Sequence, residues 1–208
     1  MTPSLRKLNL TAHVASSVAW LGAVAAFLAL SVAGLVSRDP DIVRGAYLSM
    51  NLIGLYVIVP LSFATLLTGF VQSMGTEWGL VRHYWILLKL VLTIGSTLLL
   101  LLHQFTAVAS AAKTVLGSAA GSLPDAGPAG IQLVWDAALA ALVLLLITTL
   151  SVYKPWGLTS YGRRRLPQRP DVETPLGLKV FLAAVGVIVL VGFVVSHHGS
   201  HGLESHGH

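Results

Sequence analysis

The run WILLKLVLTIGSTLLLLLH, residues 85–103, decides the class of fold. It carries one formal charge, Lys89, and no proline. A helix rises about 1.5 Å per residue, so roughly 20 apolar residues cross a hydrocarbon core about 30 Å thick. The run therefore reads as a membrane-spanning helix, and its apolar character extends over 83–110. Four further stretches have the same length and character: 10–36, 43–72, 131–153 and 177–196. The expected fold is all-α, an integral membrane bundle of five transmembrane helices.

Composition leads to the same class. Of the 208 residues, 55% are hydrophobic and 10% are charged, whereas a soluble domain carries roughly 25% charged residues. The first stretch follows Arg6 and Lys7 as a signal peptide would, but its apolar part is far longer than the roughly 7–15 residues of such a segment. Cysteine is absent, which excludes disulfides, thiolate metal sites, iron–sulfur clusters and cysteine nucleophiles. The net charge of +5 sits in no soluble basic domain. Nucleic acid is therefore not an expected partner, and the lipid bilayer is.

Residues 1–196 form one membrane domain in this reading, and 197–208 form a flexible His-rich tail. Residues 111–130, made mostly of Ala, Gly, Ser and Pro, read as a flexible linker. Lysine and arginine set orientation. Arg6, Lys7, Arg82, Lys154, Arg163, Arg164, Arg165, Arg169 and Lys179 fall on one side, and Arg38, Arg44 and Lys113 on the other. This bias predicts a cytoplasmic N-terminus and an outer C-terminus in a bacterial plasma membrane. Arg163, Arg164 and Arg165 suit anionic lipid headgroups.

Ionisable groups inside a bilayer are costly and are functional candidates by default. His13, Ser17, Trp20, Val24, Phe27 and Ser31 recur at helical spacing along one stripe. A histidine beside Trp20 and Phe27 suits a porphyrin wall, and it also suits plain helix packing. His83, at a similar depth on a helix of the same direction, is the candidate second axial ligand of a haem. Lys89, Ser96 and His103 recur every seven residues on the third helix. Asp136, one turn below the end of the antiparallel fourth helix, is the expected partner of His103. Together they make either a structural pair or part of a proton or cation path. Pro60 predicts a kink, and Asn51 an interhelical hydrogen bond.

The tail holds His197, His198, His201, His206 and His208. Imidazoles on a tether bind copper, zinc or nickel, and a solvated tail is the bland alternative. No nucleotide-binding loop, HExxH helix or paired catalytic carboxylates occur, so no catalytic residue is expected.

Three stretches resemble, together, a family of small bacterial integral membrane proteins of unknown function. They are His13 with Trp20-Leu21-Gly22, Trp78-Gly79-Leu80-Val81-Arg82-His83-Tyr84-Trp85 running on to Lys89, and Ser151-Val152-Tyr153-Lys154-Pro155-Trp156-Gly157-Leu158-Thr159 with Tyr161-Gly162. The first of them is also similar, more loosely, to the opening helix of copper-resistance D-type proteins and of haem-b membrane bundles. That likeness implies a ligand role for His13 only.

Three functional expectations follow. The first is a b-type haem electron-transfer protein, with His13 and His83 on the iron and Trp20 and Phe27 on the porphyrin. The second is metal-ion transport or sensing, with the tail as capture site and His103 and Asp136 handling the ion. The third is an accessory subunit of a membrane complex, or a homo-oligomer, whose polar residues only pack helices.

Overall fold

A computed structural model describes residues 2–74, 84–119, 121–124 and 127–153. The expected helix at 177–196, the tail histidines, Arg163, Arg164, Arg165 and His83 lie outside the described residues. Among the described residues the chain is all-helical, with no strand. Four of its helices are long and apolar enough to cross a membrane. Their length and apolar character are those of membrane-spanning helices.

Helix α1 spans Pro3–Val36. Thr2 accepts a hydrogen bond from the Leu5 amide, and Pro3 takes the first turn, where its missing N–H costs nothing. Helix α2 spans Pro40–Met74. Asp39 caps it, its Oδ1 accepting from the Asp41 amide at 2.9 Å. Within α2 one turn, Gly54–Ile58, widens to a π-helix, in which the Val59 amide donates to the Gly54 carbonyl. Pro60 stands just beyond it. Its ring crowds the carbonyl four residues back and supplies no donor, and the π turn absorbs that mismatch.

Helix α3 comprises Tyr84–His103, a second π turn at Gln104–Val108, and Ala109–Gly117. It thus runs seven residues past the end read from the sequence, into the stretch taken as a linker. Ala111, Ala112 and Val115 there are buried, and alanine is the best of helix formers. The end of α3 is tied to α2, since the Arg44 guanidinium donates to Ser118 Oγ at 3.1 Å and to the Ala119 carbonyl at 3.3 Å. Helix α4 spans Pro128–Tyr153.

Helix α1 packs against α2 and α4, and α3 packs against α2 and α4 on the opposite side. The core between them takes Trp20, Val24 and Phe27 from α1, Tyr47 and Met50 from α2, Val115 from α3, and Leu133 and Leu144 from α4. Small residues permit the close approaches. A side chain at Gly34 would meet the Tyr47 ring at 3.2 Å.

Candidate functional site

A cavity of about 930 Å³ lies where α1 and α3 face each other across α4. Trp20, Val24 and Phe27 line it from α1, Ser96, Leu99 and His103 from α3, and Leu133, Asp136 and Val143 from α4. The α1 stripe read from the sequence therefore turns inward over its middle. Val91, Leu98 and Leu102 also line the cavity, yet each is more than 60% exposed. They form a rim on the lipid side.

His103 and Asp136 meet at this cavity, with Nε2 3.1 Å from Oδ2. The other ring nitrogen, Nδ1, lies 3.0 Å from the Leu99 carbonyl oxygen. A carbonyl can only accept, so Nδ1 carries a hydrogen. One further proton serves the pair, as imidazolium with carboxylate or as imidazole with carboxylic acid. Both forms are neutral overall, which is what an apolar interior favours. The separation is that of an ion pair, and Oδ2 is buried with no aligned hydrogen bond among the described residues.

His103 stands fourteen residues before Gly117, the end of the helix, or about 21 Å at 1.5 Å per residue.

Beside the pair, Gln104 is buried and donates to Asn51 Oδ1 at 3.2 Å and to the Asn51 carbonyl at 3.3 Å. Gln104 opens the π turn of α3 and packs on Gly54, which opens the π turn of α2. A Cβ at Gly54 would overlap the Gln104 amide oxygen. Paired π turns of this kind are often found at functional sites. Sequence reasoning found Asn51 but passed over Gln104, whose signal was a second polar residue directly after His103 in an apolar run.

His13 sits elsewhere. Its Nδ1 lies 3.1 Å from Thr68 Oγ1. The Thr68 hydroxyl spends its own hydrogen on the Ala64 carbonyl at 2.6 Å, so the imidazole donates to it. Asn9 donates to the Thr68 carbonyl at 3.1 Å and to Gln72 Oε1 at 2.9 Å. Gly69 makes room for the ring, since a Cβ there would stand 3.0 Å from His13 Cε1. This is a polar seam between α1 and α2, and His13 is not among the residues lining the cavity. Lys89, from α3, is near enough to act on His13 by charge.

The seven-residue stripe therefore divides. Ser96 and His103 face the cavity, whereas Lys89 is not among its lining residues and lies near the seam. The porphyrin arrangement expected around His13 divides in the same way, because Trp20 and Phe27 line the cavity and His13 does not. The imidazole at the cavity is that of His103, and its Nε2 is taken up by Asp136. Among the described residues no three His, Cys, Asp or Glu side chains lie together as a metal cluster.

No family model, curated protein or solved structure matches this chain.

Proposed function

We propose that this membrane protein exchanges a proton for a cation at the His103–Asp136 pair, as a transporter or cation sensor. The observation that carries this reading is the 3.1 Å pair at an apolar cavity. An acid–base couple in a bilayer is expensive, and such groups mark ion pathways and proton relays. A neutral pair cannot accept a cation and keep its proton without leaving net charge in a low-dielectric site. Entry of a cation therefore drives the proton out.

In the same reading the chain crosses a bacterial plasma membrane five times, with 177–196 as the fifth helix and the N-terminus in the cytoplasm. Arg163, Arg164 and Arg165 rest on anionic lipids, and the tail histidines collect copper, zinc or nickel ions outside. The test uses full-length protein in liposomes with a trapped pH dye. An inward gradient of zinc, nickel or copper ions is expected to make the lumen more alkaline, and Asp136→Asn to abolish the change. A response that survives Asp136→Asn, or none with any of these ions and none with an organic cation, overturns the reading.

A second reading is the b-type haem protein, favoured by one observation, the two aromatic side chains Trp20 and Phe27 on a cavity of cofactor size. The fit is incomplete, because His13 lies off the cavity and His103 is engaged by Asp136. An absorption spectrum before and after dithionite separates the readings. A Soret band with reducible α and β bands, lost in His13→Ala, is the haem result, and a colourless protein from haem-replete cells excludes it.

A further inference from the structure

We propose that the cation this cavity takes is a lipophilic organic cation of single charge, an ammonium or phosphonium bearing apolar groups. This deepens the exchange reading above and rests on it.

Size is the first argument. A cavity of about 930 Å³ lies in the upper part of the roughly 300–1,000 Å³ that organic ligands occupy. A bare metal ion needs several ligands gathered at one point. The cavity offers one imidazole and one carboxylate, and no three-ligand cluster occurs among the described residues.

The lining is the second. Apart from the pair, its side chains are mainly aliphatic, with Trp20 and Phe27 adding two aromatic rings. Aromatic faces attract weakly hydrated cations, and organic cations most readily. Asp136 supplies the countercharge.

Access is the third. Val91, Leu98 and Leu102 line the cavity and are largely exposed, so a ligand reaches it sideways from the lipid. Lipophilic cations collect in that phase, and hydrated metal ions do not.

Charge balance then fixes the stoichiometry. Among the described residues, His103 and Asp136 are the only titratable side chains lining the cavity. His13 and Lys89 lie at the seam, off the cavity lining, and Lys113 projects outward from the end of α3. The bound cation pairs with the Asp136 carboxylate, His103 remains a neutral imidazole held at Leu99, and one proton leaves.

The experiment is calorimetric titration of the full-length protein in mild detergent with tetraphenylphosphonium. It is run in buffers of different ionisation enthalpy, with neutral triphenylphosphine oxide as the comparison ligand. The expected result is release of about one proton per bound cation. Affinity should rise up to tenfold per pH unit while the pair remains protonated, and the neutral compound should bind at least tenfold more weakly. Asp136→Asn is expected to lose the cation selectivity, and the wild-type proton count stands if that variant does not fold. Absence of tetraphenylphosphonium binding overturns the inference, and metal-driven proton flux in liposomes would then leave the exchange reading intact. Binding without proton release overturns both.

Discussion

Asp136 Oδ2 lies 3.1 Å from His103 Nε2, joining α4 to α3 across an apolar cavity. Removing one member of such a pair strands the other, at a cost of about 3–5 kcal/mol. Asp136→Leu alone is therefore expected to destabilise the protein strongly. The double variant His103→Leu with Asp136→Leu should recover most of the loss. Unfolding in mixed SDS micelles measures both, and simple addition of the two single effects would remove the pair as a structural unit.

Gly54 and Gln104 form a second interhelical relationship, in which a methyl group has no room. Gly54→Ala should cost about 1–3 kcal/mol through overpacking and displacement of the buried Gln104 amide. Adding Gln104→Ala makes space and should return part of that stability. The same unfolding assay compares the two, and an unperturbed Gly54→Ala protein would contradict this packing.

Trp20 is 2% exposed, and its indole N–H has no hydrogen-bond partner among the described residues. A buried donor left unpaired costs about 1–3 kcal/mol. Trp20→Phe removes the orphan donor at modest loss of volume, so it should be close to neutral or stabilising. Trp20→Ala should cost about 3–5 kcal/mol by opening a cavity. A large loss in Trp20→Phe would reveal a partner for the indole.

The His13 seam makes a smaller prediction. Intramembrane hydrogen bonds average about 0.6 kcal/mol and reach about 1.7 kcal/mol. Thr68→Val should cost an amount in that range. Nitrogen NMR of labelled histidine should show the His13 proton on Nδ1 in the wild type, and its signal should shift in Thr68→Val. A proton found on Nε2 instead would reverse the assigned direction of the bond.

Arg44 closes the end of α3 through Ser118 and Ala119. A cation there also meets the negative end of the helix dipole, worth about 0.3–1 kcal/mol. Arg44→Ala should leave the fold intact and speed amide exchange over the last turn before Gly117. Unchanged exchange in that turn would show that the cap holds nothing in place.

What the sequence determined by itself is the all-helical, strongly apolar class of the chain and the approximate course of its four described long helices. Hydropathy is a sum over neighbours in the chain, so a run such as residues 85–103 declares a membrane helix without any knowledge of its partners. The same sum located the costly polar residues within those helices, His13, Lys89, His103 and Asp136 among them. Antiparallel order made Asp136 a reasonable partner for His103.

Only the tertiary structure decided which histidine faces the cavity, that Gln104 joins two π turns, and that Lys89 is not among the cavity-lining residues that include Ser96 and His103. These depend on helix rotation, which local pattern fixes poorly. A seven-residue repeat drifts about 20° per heptad around a straight helix, so Lys89 and His103 do not share one line. The turn widened ahead of Pro60 rephases the rest of its helix, and no periodicity carries across it. Side-chain partnership inside a membrane is settled by packing between helices distant in sequence, and that information is not local.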